Sequence, residues 1–209
     1  MYNFREEQSV RKPFFFAGVI VALAVGLFAW RAAWRAADTP VSITPQTDHA
    51  ITQVEYFLQN DQRWTDDALG GSRFKMSGSG CLISCIASSL AAQGIDTDPG
   101  RLNAAFSEYG VYNSEGEVLW NNIPRVFPGV RFTASSYVDA AALEEAVSQG
   151  FLPIVKVKYR GTGCQHWVLI LGAKDGDYVC MDPLNADKKP LALKIHGGSI
   201  YRYRIVEMD

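Results

Sequence analysis

Apolar residues follow three different spacings along this chain. The first is a continuous run, Phe14 to Trp30, with seventeen residues and no charge (FFFAGVIVALAVGLFAW). As a helix it reaches ~26 Å, near the lower limit for crossing a bilayer core. Trp30 and Trp34 suit the membrane interface, so the predicted span covers 14–34. Arg5, Arg11 and Lys12 precede the run, while Arg31 and Arg35 follow it. That bias favours a short cytoplasmic tail over 1–13, with the rest of the chain outside. The run is longer than the apolar core of a usual signal peptide, and the residues after it are bulky and basic. An uncleaved signal anchor is therefore expected in preference to a cleaved signal. Residues 37–49 (ADTPVSITPQTDH) are polar with two prolines. They read as an extended linker, placed over 35–50, ahead of a domain over 51–209.

The second spacing is helical. Gln53 to Gly80 is rich in turn residues, with Asp66, Asp67, Gly70 and Gly71 as markers. From Cys81, Leu82, Ile83, Ile86 and Leu90 recur at helical intervals, and Gly94 supplies a stop. Asp98-Pro99 opens a second helix through Tyr109, and Asp139 opens a third, closed by Gly150. The third spacing is that of strands. Leu152–Tyr159 and His166–Gly172 are two, and Lys174–Asp177 turns the chain into a returning strand, Tyr178–Met181. Leu191–Ile195 and Ile200–Val206 are expected to be further strands. Helices followed by strands predict an α+β domain with helices packed on an antiparallel sheet.

Composition narrows the class. Of 209 residues, 48% are apolar and 20% charged, which indicates a folded body. The formal net charge of −2 and the lack of a basic stripe argue against nucleic acid as a partner. The cysteines are Cys81, Cys85, Cys164 and Cys180. Their spacings of 4, 79 and 16 residues do not form the paired clusters of a structural zinc site, and no metal or cofactor is called for.

Cys81 follows Ser-Gly-Ser-Gly, where a loop becomes a helix. Free N–H groups and a partial positive charge at a helix start favour a thiolate, the reactive form, and can hold an oxyanion. Gly78 and Gly80 allow close approach to that position. A buried core cysteine is the competing reading, and it is the one that fits Cys85, one turn on. A thiol nucleophile needs a base. Among three histidines, His49 falls in the expected linker and His196 reads as a turn residue before Gly197-Gly198. His166 begins the most apolar strand. A turn centred on Asp175-Gly176 pairs residues whose numbers sum to about 350. Position 184 then faces His166, and Asp182 sits one diagonal step away on the same face. Asp182 can thus orient His166, although Asp182-Pro183 is also a plain strand terminator. The same register sets Cys180 opposite position 170, too far from Cys164 for a disulfide.

Four stretches, in order, resemble the bacteriocin-leader-peptidase-like (double-glycine peptidase-like) cysteine peptidases. They are Tyr56–Trp64 (YFLQNDQRW), Gly80-Cys81, His166–Gly172 and Asp182-Pro183. Together they span roughly 55–184. The resemblance implies the papain-like fold, a bacterial source, Cys81 as nucleophile, His166 as base and Asp182 as orienting carboxylate. It also implies Gln59 as an amide donor near the oxyanion. The family usually carries glycine after the cysteine, whereas Leu82-Ile83-Ser84 stands here. A bulky Leu82 at that position is expected either to narrow the cleft beside the nucleophile or to alter the helix start.

Three functions are compatible with these residues. The first is a membrane-anchored, extracytoplasmic thiol hydrolase cleaving peptide (amide) bonds through Cys81, His166 and Asp182. The second is an inactive papain-like fold that binds peptides outside the cytoplasm. The third is a cell-wall amidase acting on a peptidoglycan-like substrate.

Overall fold

The computed structural model describes residues 39–135 and 137–208. The Phe14–Trp30 run lies outside the described residues, and with it the expected tail and anchor. Among the described residues, no helix is long and apolar enough to cross a membrane.

From Pro40 onward the chain folds as one unit. It begins with strand β1 (Val41–Ser42), then helices α1 (Met76–Ser79), α2 (Cys81–Ala92) and α3 (Pro99–Glu108). Strand β2 (Val130–Ala134) and helix α4 (Ala140–Ser148) follow. The remaining strands are β3 (Ile154–Lys158), β4 (Gln165–Lys174), β5 (Asp177–Met181), β6 (Leu191–Ala192), β7 (Ser199–Ile200) and β8 (Arg202–Met208). Six of them form an antiparallel sheet in the order β2-β8-β3-β4-β5-β6, and β1 pairs with β7. This is the expected α+β architecture.

Local chemistry accounts for the helices. Asp98 caps α3 by accepting the Arg101 N–H at 2.9 Å, with Pro99 in the first turn. Asp139 caps α4 by accepting the Ala141 and Ala142 N–H groups. Period-two alternation splits the sheet into two faces. On one face Ile154, Leu169, Leu171, Met181 and Val206 pack with α2 and α3. On the other, Val155, Val157, Val168 and Ile170 pack with Leu143 and Val147 of α4. Ile86 and Leu90 of α2 are completely buried, and each such burial stabilises the fold by about 1.5–3 kcal/mol.

Three expectations need correction. The first concerns the polar segment read as a linker over 35–50, which from Val41 is part of the domain. Val41 pairs with Ile200, and Ile43 is buried. His49 exchanges backbone hydrogen bonds with Ala173, and Thr52 N–H donates to Leu171. A break in the β4–β5 ladder between Ile170 and Gly172 opens the strand to this segment. Gly172 is obligatory there, since a Cβ would lie 2.3 Å from the Ala50 carbonyl oxygen. His49 is then fixed through its side chain, 2.7 Å from Glu144, which also accepts the Tyr178 hydroxyl. Second, the expected strand Leu191–Ile195 continues for only two residues and becomes a 3-10 turn, Leu193–His196. The Lys194 N–H donates to the Asp177 carboxylate, and Gly197 adopts a left-handed conformation that ends the turn. Third, β2 falls before α4, so the order of helices and strands is more mixed than expected. It lies at the sheet edge with an exposed, polar-rich pattern, which gave it little apolar signal.

Candidate active site

Cys81 opens α2 directly after Gly80, which also ends α1. The junction is tight. The Gly80 N–H donates to the Met76 carbonyl, and a Cβ on Gly80 would lie 2.6 Å from that oxygen. Glycine is therefore required where the two helices meet. By contrast, a Cβ on Gly78 would meet nothing within 4 Å, so Gly78 contributes open space to the cleft.

The β4–β5 hairpin supplies the partner groups. Asp175 and Gly176 both have positive φ, 55° and 74°, which suits a two-residue turn matched to strand twist. Beyond the bulge, Ile170 faces Cys180 and Leu169 faces Met181, the register expected from pairs summing to 350. Past the last paired position, His166 Nε2 and Asp182 Oδ1 meet at 2.7 Å. Both residues are 3% exposed. Oδ1 also accepts the Leu184 N–H at 2.8 Å, which fixes the carboxylate against the loop that follows β5. Because the carboxylate only accepts, Nε2 of His166 carries a proton and Nδ1 is left for the other side. The Cys81 thiol is close enough to His166 to act on its protonation.

The electrostatics follow from these contacts. Burial pushes His166 down, but the hydrogen bond with Asp182 and the nearby Cys81 thiol outweigh it and raise its pKa to about 9. Burial pushes Asp182 up, but the hydrogen bonds from His166 and the Leu184 N–H, with His196 close by, hold it well below the ordinary carboxylate range. Cys85 and Cys180 are fully buried, and burial raises both thiols well above the ordinary cysteine value. Cys81 differs from them in lining a cleft, and Cys164 differs in being exposed.

Gln59 is 3% exposed and stands behind the nucleophile loop. Its Nε2 donates to the Ser77 carbonyl at 2.8 Å, and its backbone N–H donates to Pro183. Gln59 thus ties the segment before Cys81, through its side chain, to the segment after Asp182, through its backbone. Its amide keeps a second N–H beyond the one given to Ser77.

The cleft beside Cys81 has a volume of about 660 Å³. Leu82 lines it next to the nucleophile, with Trp120 and Trp167 on its walls. Glu117 and the cations Lys156, Arg202 and Arg204 also line it. Arg204 stacks over both tryptophan rings, and burial together with Arg202 lowers its pKa to about 10.

Sequence reasoning missed His196. It is 2% exposed, and its Nε2 lies 3.5 Å from Asp182 Oδ2. The adjacent glycines suggested a surface turn, whereas the 3-10 turn directs the imidazole inward. A histidine closing an apolar segment, Leu-Ala-Leu-Lys-Ile-His, was the available signal.

No protein-family model matches the chain, and no curated protein matches it. A crystal structure described as a C39-like peptidase from Bacillus anthracis is similar, with a TM-score of 0.51 and 10% identity. The match covers 78% of this chain and 99% of that one. At this identity the likeness is one of fold. The chain's α+β fold, with helices packed on an antiparallel sheet, is thus similar to that of this C39-like peptidase structure.

Proposed function

We propose that this chain is a thiol hydrolase that cleaves peptide bonds through Cys81, His166 and Asp182. The observation that carries the reading is the buried His166–Asp182 contact at 2.7 Å, with the cleft-lining Cys81 thiol acting on the same imidazole. The fold shared with a C39-like peptidase supports the same class of chemistry.

The arrangement suits acyl transfer in two steps. His166 Nδ1 takes the proton from Cys81 Sγ as the sulfur attacks the substrate carbonyl carbon. The free N–H groups at the start of α2 face the developing oxyanion, and the second N–H of Gln59 is the candidate side-chain donor. The imidazolium then protonates the leaving amine, and the C–N bond breaks to leave a thioester on Cys81. His166 next takes a proton from water, the hydroxyl adds to the thioester, and the carboxylic acid leaves as the thiol is restored. Asp182 keeps the proton of His166 on Nε2 throughout, so Nδ1 remains the working base.

Leu82 favours a second reading, in which the cleft binds a peptide without turning it over, because it brings bulk beside the nucleophile. A thiol-directed activity probe with a peptide recognition element separates the two. Labelling of the wild type, lost in Cys81→Ala and in His166→Ala, supports hydrolysis. Peptide binding without labelling supports the second reading. A peptide is the substrate proposed, and a cell-wall amide is the alternative to test with the same probe chemistry. The Phe14–Trp30 run is proposed to hold the domain at the outer face of a membrane.

A further inference from the structure

His196 lies outside the Cys81, His166 and Asp182 series, yet its ring is almost fully enclosed beside it. Its Nδ1 accepts the backbone N–H of Arg160 at 3.2 Å. A backbone N–H can only donate, so Nδ1 carries no proton and Nε2 carries one. That Nε2 is buried with no hydrogen-bond partner, and the nearest carboxylate oxygen, Asp182 Oδ2, lies 3.5 Å away, just beyond ordinary hydrogen-bond length. The two carboxylate oxygens are thereby divided. Oδ1 serves His166 and the Leu184 N–H, and Oδ2 faces His196.

Neighbouring groups hold the second imidazole in place. The Tyr159 ring packs edge-on against His166 at 5.4 Å between centroids and lies tilted against His196 at 5.9 Å. Arg160, the donor to Nδ1, sits at φ 49°, an uncommon conformation for a residue other than glycine. Such a conformation persists only where its surroundings impose it, and here it aims the N–H at His196. The titratable and charged groups facing the pair are Cys81 and Cys85 from α2, Tyr159 and Arg160 from the turn after β3, and Cys180 from β5.

We infer that His196 is a positioning residue, whose Nε2–H holds Asp182 Oδ2 so that Oδ1 stays aligned with His166 Nε2. The inference rests on the thiol-hydrolase reading for its bearing on turnover. The geometry itself sets Asp182 between two imidazoles, bonded to His166 and 3.5 Å from the unpartnered Nε2 of His196. Without the clamp it can rotate about its Cβ–Cγ bond, and its hydrogen bond to His166 weakens.

The test follows the His166 ring by NMR in the full chain, where only three histidines need assignment. The variants are His196→Met, of similar bulk without a donor, and His196→Gln, which keeps an N–H. The Met variant should lower the His166 titration midpoint by on the order of one pH unit, and the Gln variant should recover most of that shift. An unmoved midpoint in the Met variant, or equal shifts in both, overturns the assignment. Should the Met variant not fold, the nitrogen shifts of wild-type His196 decide the matter. A proton found on Nδ1 rather than Nε2 overturns the clamp. Alkylation of Cys81 by iodoacetamide, run alongside, keeps two failures apart. Loss of selective labelling in the wild type defeats the hydrolase reading, whereas the His166 midpoint alone judges His196.

Discussion

Replacing Asp182 with asparagine keeps the side chain's size and removes its charge. In the native site the carboxylate accepts His166 Nε2–H at 2.7 Å in buried surroundings and the Leu184 N–H at 2.8 Å in partly buried ones. The amide retains a single acceptor oxygen and adds an NH₂ group. Either the amide oxygen takes the place of Oδ1 and the NH₂ faces His196, or the amide flips and presents NH₂ to His166 and the Leu184 N–H. The second choice forces the proton of His166 onto Nδ1, where it faces Cys81 and removes the base. Losing one charged hydrogen bond inside a buried pair should cost about 2–4 kcal/mol at pH 7. The pH dependence has a definite sign. His166 is raised from 6.5 to about 9, so its contribution is complete below ~6.5 and lost as pH rises through about 9. Asp182 is depressed, so its contribution is complete above ~3.9 and lost as pH falls toward its folded value. The stability gap between wild type and Asp182→Asn should therefore be widest between roughly pH 4 and 6.5 and narrow toward pH 10. Guanidinium unfolding of both chains across that range measures it. A gap that stays flat with pH, or one below ~0.5 kcal/mol, refutes the buried charged pair.

Other outcomes follow from the same geometry. Gly80→Ala sets a Cβ 2.6 Å from the Met76 carbonyl oxygen and should cost about 1–3 kcal/mol in urea unfolding. Gly78→Ala meets nothing within 4 Å and should leave stability unchanged. Leu82→Gly should speed labelling of Cys81 by bulky peptide probes, with a loss of about 1 kcal/mol in stability. Unchanged probe selectivity would show that Leu82 does not gate the cleft. The full chain should sediment with membranes after alkaline carbonate washing, and a variant lacking Phe14–Trp30 should not. Release of the full chain by the wash would contradict an integral anchor.

Legibility varied with the range of the interactions involved. The His166–Asp182 contact could be read because a two-residue turn at Asp175-Gly176 dictates the pairing of its own hairpin, and that pairing is local. The bulge between Ile170 and Gly172 changes the register by one, but it lies on the turn side of the pairs nearest the site. The helix caps Asp98 and Asp139 were legible for the same reason, since each acts within its own first turn. The attachment of residues 41–52 was not. Its polar composition suggested solvent, while its hydrogen bonds go to Ala173 and Leu171, far along the chain. His196 was obscured by the glycines after it, and its inward direction depends on Arg160, 36 residues away. Gln59 was identified through family resemblance, but its tie to Ser77 emerges only from the folded loop.

The most direct test of the central claim compares two thiols. Cys164 is exposed and Cys81 is 9% exposed, while Cys85 and Cys180 are completely buried. If accessibility alone governs reaction, iodoacetamide at neutral pH modifies Cys164 first. If His166 accepts the thiol proton, Cys81 reacts first despite its burial, and His166→Ala abolishes that preference. Peptide mapping after brief alkylation reads the order. Cys81 leading in the wild type and trailing in His166→Ala is the expected result. Cys164 leading in both would contradict a Cys81–His166 nucleophile.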